Sequence, residues 1–319
     1  MKLASQAFLC GLTLLAVATA GAQQFPTKPI HIVITYPPGT TYDGAGRPVA
    51  TEMQKRLGQP VVFEYKPGAN TTIGAKYVAG SPPDGHTLLF SSPITAHQLL
   101  NKNNALDAAR ELTPISLVSN LPYFVVARSS LPVTTIQELA AYSKANPGKL
   151  THGVAAVTQD LVMTVIADRI GAASRSIPFK ASAQITVSML NSEVDLAISS
   201  VQAFLPHIQA GTMRALVITA PKRSAGLPNV PTSAEAGMPG LVVGANFGLW
   251  APAGTPREIV QRLNAEVVAA LKLPDVVEQI RKGSGSDAVG SSPEDLMRNF
   301  QDEVRFWTEA SKIANFQPQ

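Results

Sequence analysis

Lys28-Pro29-Ile30-His31-Ile32-Val33-Ile34-Thr35-Tyr36-Pro37-Pro38-Gly39-Thr40-Thr41-Tyr42-Asp43 decides the architecture. An apolar strand from Ile30 to Tyr36 runs into a Pro-Pro-Gly turn, small hydroxyl residues follow, and a helix-forming segment comes next. A near-continuous apolar run reads as a strand buried on both faces, the pattern of a parallel sheet. A strand-to-loop-to-helix junction presents free backbone N–H groups, which hold an anion without any catalytic group.

Outward from this stretch, Val49 to Leu57 reads as a helix ended by Gly58 and Pro60. Pro48 admits two placements. A helix begun at Asp43 sets Pro48 past its first turn, against the preceding turn. A late start sets Pro48 near the first helical position and leaves Gly39 to Gly46 as a long loop. Val61 to Tyr65 is a second strand, Ile73 to Ala79 a short helix, and Thr87 to Phe90 a third strand. Strands alternating with helices predict an α/β layer with a parallel sheet.

Further on, Tyr123 to Ala127 and Phe247 to Pro252 are expected to be strands that cross between two such units. Between them, helices are expected after Thr135-Ile136-Gln137-Glu138, over Leu161 to Ile170 and over Ile185 to Leu190, with strands at Val194 to Ser199 and Leu216 to Thr219. Thr255-Pro256-Arg257-Glu258 reads as a capping box with proline at the first position. Ser292-Pro293-Glu294-Asp295 opens the last helix, which is expected to bury Leu296, Phe300, Val304 and Trp307. The expected fold is α/β and two-lobed. Residues 25–123 plus 250–319 form lobe one, residues 124–249 form lobe two, two hinge strands cross between them, and the C-terminal helices pack back on the first lobe. Small ligands bind in the cleft of such a pair, at the carboxyl ends of the strands.

Composition narrows the function. The 319 residues suffice for one large domain or two ordinary ones. With 45% hydrophobic and 15% charged residues the chain is globular. The net charge is +4 and the basic residues form no run, so there is no nucleic-acid footprint. Residues 1–22 differ: Lys2 gives a positive start, Ala7 to Val17 is apolar, and Ala18-Thr19-Ala20 and Ala20-Gly21-Ala22 fit small-x-small cleavage. This reads as a secretory signal peptide cleaved near Ala20 or Ala22, too short for a comfortable membrane span. Leu9 before Cys10 rejects a lipoprotein. Cys10 is the one cysteine and leaves with the signal, so disulfides and thiol catalysis are excluded from the mature chain.

Enzyme signatures are missing. There is no Gly-x-Ser-x-Gly, no His-Glu-x-x-His, no phosphate loop ending in Gly-Lys-Ser/Thr and no Gly-x-Gly-x-x-Gly after a strand. His31, His86, His97, His152 and His207 are dispersed, and no pair has metal-ligand spacing. No catalytic group, metal or cofactor is expected. Candidate ligand-binding residues lie at the loops. Pro38, Gly39, Thr40, Thr41, Tyr42 and Asp43 form the first; Asp43 reads as a cap or ligand-orienting acid rather than a base. Arg47 reads either as an exposed arginine or as a tie behind the loop. Ser91 and Ser92 follow the third strand. Ala155, Ala156, Val157 and Thr158 precede a second helix N-terminus, which suits a ligand with a carboxylate at each end. Ser199 and Ser200 end a strand of that lobe, and Phe179 and Lys180 offer a wall or a charge.

Tyr36-Pro37-Pro38-Gly39-Thr40-Thr41-Tyr42-Asp43-Gly44-Ala45-Gly46-Arg47 resembles the Pro-Pro-Gly-Gly-x-x-Asp-x-x-Ala-Arg opening of the Bug family, the TctC-like solute receptors of tripartite tricarboxylate transporters. Leu57-Gly58-Gln59-Pro60-Val61-Val62 with Pro67-Gly68-Ala69, Pro83-Asp84-Gly85-His86-Thr87-Leu88-Leu89, Ile177-Pro178-Phe179-Lys180, Leu227-Pro228-Asn229-Val230-Pro231-Thr232 with Glu235-Ala236-Gly237, and Ala251-Pro252-Ala253-Gly254-Thr255-Pro256 extend the match over nearly the whole mature chain. The resemblance implies a type II-like periplasmic binding protein with two lobes and a closing cleft. It implies a carboxylate held by backbone N–H groups, hydroxyls and water, with Pro38 to Asp43 and Ala155 to Thr158 facing it. Thr40 departs from the family's second glycine, Gly46 from its alanine, Pro48 follows, and Ala181 replaces the glycine after the lysine. The second loop, Val154-Ala155-Ala156-Val157-Thr158, keeps only the threonine, and Leu161 takes the place of a histidine. These departures point to a ligand outside the small amino-dicarboxylate or citrate-like set, with a larger or aromatic acid such as a phthalate isomer within the expectation.

The expected function is therefore a periplasmic, monomeric receptor that binds an organic (di)carboxylate and delivers it to a membrane permease. The alternatives are a receptor that senses its ligand and signals without transport, and a secreted hydrolase, for which the sequence offers no nucleophile–base pair.

Overall fold

The computed structural model describes residues 25–69, 71–92, 106–224 and 226–317. The signal segment 1–22, with Cys10 and both cleavage sites, lies outside the described residues.

The apolar strand of the opening stretch is β1 (Ile30–Ile34), whose Ile30, Ile32, Val33 and Ile34 are buried. It pairs in parallel with β2 (Val61–Tyr65) on one side and β3 (Thr87–Ser91) on the other. Between them run α1 (Thr41–Leu57) and α2 (Thr72–Ala79). After the short α3 (Ala108–Glu111), β4 (Leu112–Pro122) completes the outgoing path. The chain then leaves through Tyr123 into a second sheet. This holds β5 (Phe124–Arg128), β6 (Thr151–Val154), β7 (Arg175–Pro178), β8 (Leu196–Ser199) and β9 (Met213–Ile218). Its helices are α4 (Ile136–Ala145), α5 (Val157–Ile170), α6 (Ser182–Leu190) and α7 (Leu205–Gln209). The return is β10 (Gly244–Pro252), followed by α8 (Arg257–Ala270), α9 (Pro274–Ser284), β11 (Asp287–Ala288) and α10 (Pro293–Ile313). The strand orders are β11-β4-β10-β3-β1-β2 and β7-β6-β8-β5-β9.

Two lobes thus meet at two crossing connections, with parallel strands flanked by the antiparallel returns β10 and β5. Whole strands lie on either side of the crossings: β5 belongs to the second sheet and β10, from Gly244 onward, to the first. Each sheet carries apolar side chains on both faces. Ile32, Leu121 and Phe247 face α1, α8 and α9, whereas Val33, Leu89 and Trp250 face α2 and α10.

The last helix starts on the first lobe, where Leu296 and Phe300 pack beside Trp250. Its second half goes further than the periodicity alone indicates. Trp307 and Ala310 enter the core of lobe two beside Leu161 and Val165. At the crossing between these halves Asn120 of β4 donates to Asn246 of β10, and Asn246 donates to the buried Glu303 of α10. Buried polar groups are tolerated when hydrogen-bonded, and here the bonds join both strands to the helix.

Capping separates sequence signals that work from one that does not. Thr135 accepts from the Glu138 N–H at 3.1 Å and Ser292 from the Asp295 N–H at 3.1 Å, as expected. Thr255 does not cap α8. Its hydroxyl turns back to the Pro252 carbonyl at 2.8 Å, and Pro256 holds the cap position.

Candidate functional site

The first loop is settled by the start of α1 at Thr41, so the late start is overturned and Pro48 lies inside the helix. Two glycines make this possible. A Cβ at Gly44 would lie 2.3 Å from the carbonyl carbon and oxygen of Gly283 in α9, so the two helices cross backbone on backbone. That contact fixes the first turns of α1 beneath the loop, although Pro48 supplies no N–H to the preceding turn. Gly46 is a packing position. A Cβ there would meet the Phe63 and Phe90 rings at 3.0 and 3.1 Å.

Thr40 is the N-cap residue, yet its hydroxyl donates to Pro37 O at 3.0 Å and leaves the helix without a side-chain cap. Asp43 is buried, and three donors converge on its carboxylate. It accepts from the Gly39 N–H at 2.6 Å, from Arg47 Nε at 2.7 Å and from the Tyr65 hydroxyl. Burial pushes this carboxyl up, but the Tyr65, Gly39 and Arg47 donors outweigh it and hold it below the usual range. Asp43 is accordingly a tie that shapes the loop, and Arg47 grips it from behind.

Tyr42 donates to the Ser92 carbonyl and stacks on Tyr36, ring centroids 4.4 Å apart. Ser91 is tied to Thr35 at 2.9 Å. The Ser92 hydroxyl is buried and has no hydrogen-bond partner among the described residues.

In lobe two, α5 starts at Val157 behind Ala156, which has no side chain to cap it. The Ala155 N–H is held by Gln159 Oε1 at 2.8 Å, and Gln159 Nε2 reaches Ser199 Oγ at 3.2 Å, which also meets Ser182 Oγ at 3.0 Å. Val157 is exposed and Thr158 buried. His152 joins Ser174 Oγ at 2.8 Å to Asp160 Oδ1 at 2.9 Å. This hydrogen-bonded chain, which spacing could not reveal, pins the first turn of α5 to β6.

The two loops come together through tyrosines. Buried Tyr123, at the first crossing, contacts the Thr158 hydroxyl and lies near Tyr36 and Glu303; burial pushes its phenol up to about 12. Tyr42 in turn lies near Tyr123 and is raised by burial. Tyr36, Tyr42, Ser92, Tyr123 and Thr158 therefore connect the N-termini of α1 and α5. Ser199 stands one hydrogen bond away through Gln159. Pro38 and Lys180 are exposed, and Phe179 packs its ring against the core under α6.

A cavity of about 260 Å³ is lined by residues of both lobes, and none of the sequence-predicted residues lines it. Leu121, Phe124, Val201 and Leu227 give it apolar walls, and Gln202 and Arg281 are polar. These positions come from both lobes and carry no shared motif, so the sequence offered no signal for them.

Comparison with known proteins agrees with this architecture. The description "Tripartite tricarboxylate transporter family receptor" matches residues 45–315. Protein BugT of Bordetella pertussis is 34% identical over 302 residues, covering 91% of this chain and 92% of BugT. Among solved structures, R. palustris Rpa4515 with adipate is 31% identical with a TM-score of 0.74, covering 92% of this chain and 100% of that one. MatC (Rpa3494) from Rhodopseudomonas palustris with bound malate is 30% identical with a TM-score of 0.69, covering 90% and 99%.

Proposed function

The chain belongs to the tripartite tricarboxylate transporter family of receptors, and from that premise we propose that it captures an organic carboxylate between its lobes in the periplasm and delivers it to membrane permease subunits. The observation that carries the site is the pairing of two helix N-termini without side-chain caps, at Thr41 and Val157, linked through Tyr42, Tyr123 and Thr158. Helix N-termini favour anions, and a ligand held by one from each lobe stabilises the closed pair. Adipate and malate in the two R. palustris structures support a carboxylate as the class.

The proposed contacts are the N–H groups of Thr41 and Tyr42, the Ser92 hydroxyl, and the N–H and hydroxyl of Thr158. Gly39, Thr40 and Asp43 shape the first loop. Gln159, Ser182 and Ser199 shape the second. In this reading the protein binds and releases its acid without turnover.

Two measurements test the reading. A ligand at about 100 times its Kd adds about 2.7 kcal/mol to stability. The melting temperature should therefore rise by about 5 °C or more with the right carboxylate. A panel of organic acids that leaves the melting temperature unmoved would defeat the proposal. Thr158→Ala should weaken binding about five- to tenfold, the loss of about one hydrogen bond, as read by isothermal titration. Unchanged affinity would place the second loop outside the site.

A further inference from the structure

The cavity of about 260 Å³ is lined in part by residues that follow or precede those of the site in the chain. Val201 and Gln202 follow directly on Ser199 and Ser200 at the end of β8. Pro122 of its wall precedes Tyr123. On the other side, Gly285 faces Gln202 two residues after Gly283 meets Gly44 in α1. Gly285 has φ +70°, and a Cβ there would lie 2.2 Å from the Gln202 amide, so the glycine is what lets this side chain lie across the lobe boundary. The cavity thus has a wall in each lobe, and its lining continues the chain from Ser200 and up to Tyr123.

Its chemistry selects a ligand end. Half-buried Val201 and Leu227 supply apolar surface, with the buried Leu121 and Phe124 behind them. Arg281 is its one positive charge, but the guanidinium is already paired twice with Glu278, Nε at 2.9 Å and a terminal nitrogen at 2.8 Å. Asp287 also lines the space. Glu278 also pairs with Lys282 at 3.3 Å, so Arg281, Lys282, Glu278 and Asp287 together carry no net charge and leave no spare positive charge for a second carboxylate. The Gln202 amide makes no hydrogen bond among the described residues and is free to meet a neutral polar substituent. At about 260 Å³ the space exceeds the roughly 150 Å³ that holds a benzene ring, but it falls below the roughly 300–1,000 Å³ of a whole ligand site.

We propose that this cavity is the distal subsite of the receptor and takes the uncharged aromatic end of an aryl monocarboxylate whose carboxylate sits at the helix N-termini. This rests on the carboxylate reading above and narrows its ligand class. The ring packs on Val201 and Leu227, and Gln202 meets a ring hydroxyl where there is one. Because the walls belong to different lobes, filling the cavity favours closure.

The test is isothermal titration of the full mature protein with benzoate, phenylacetate and 3-phenylpropionate against acetate, succinate and adipate. The best aryl acid should bind at least tenfold tighter than any dicarboxylate. Val201→Trp, which fills the cavity, should weaken that aryl acid at least tenfold while changing acetate or succinate less than twofold. Leu227→Phe, a smaller filling, should do the same in part and guards against misfolding of the first variant. A dicarboxylate outbinding every aryl acid would overturn the subsite and leave the carboxylate receptor standing. So would equal losses for all acids, or no loss in either variant. Failure of every acid to bind would overturn both.

Discussion

Gly44→Val is expected to cost the first lobe about 3 kcal/mol or more, and Gly44→Ala most of that. The reason is the neighbour. A Cβ at this position would stand 2.3 Å from the Gly283 carbonyl group and 2.8 Å from the Ser284 nitrogen. These are backbone atoms, which no rotamer change moves aside, so α1 and α9 must separate. Their separation opens the core that Ala45, Val49, Val276 and Ile280 share, where close packing makes small displacements costly. The reciprocal Gly283→Ala is milder at the start, since its Cβ meets Gly44 Cα at 2.9 Å. The two substitutions should be strongly non-additive, because either one already forces the helices apart. Urea unfolding of the three variants reads this directly. A wild-type midpoint for Gly44→Ala would show that the crossing is looser than its geometry says. On the proposed reading, which puts the ligand at the first turn of α1, carboxylate affinity should fall along with stability.

That contact also shows where sequence reading stops. The strand pattern of β1 and the alternation of strands and helices were legible, because burial on both faces leaves an apolar run and connections leave prolines and glycines. The start of α1 was not. Pro48 argues locally for a late helix, and what overrides it is a glycine in α9, far away in the chain. Thr135, Ser292 and Thr255 carry the same local signal, yet Thr255 spends its hydroxyl on Pro252. Trp307 announces a buried face but not that the face belongs to the other lobe. Of the candidate site, the two strand-to-helix junctions could be read because such a junction is local. The cavity could not, since Phe124, Val201, Leu227 and Arg281 meet only once both lobes are assembled. Asp43 and Arg47 lay between, read separately as a cap or orienting acid and as an exposed arginine or a tie, with their pairing and the roles of Gly39 and Tyr65 shown only by the structure.

Asp43→Ala should therefore act as a loss of loop shape, weakening carboxylate binding about 100-fold, or about 2.7 kcal/mol, and lowering stability by about 3 kcal/mol. Three donors converge on this carboxylate, and they do not count equally. The Arg47 side chain is 58% exposed, so its ion pair contributes at most about 1 kcal/mol, and Arg47→Ala should be mild. The Gly39 N–H and the Tyr65 hydroxyl carry the rest. Gly39 is the turn residue before the helix, and freeing its N–H releases the turn that aims the Thr41 and Tyr42 N–H groups. Asp43→Asn keeps an acceptor for one donor and should fall between alanine and wild type. The carboxyl titrates below its unfolded value of about 3.9. Its extra stabilisation is then complete above that value and disappears as pH falls through the folded pKa. The melting-temperature gap between wild type and Asp43→Asn should stay constant from pH 7 to about pH 5 and close below about pH 4. A gap that persists unchanged in acid would mean the charge on Asp43 contributes nothing and that geometry alone holds the loop.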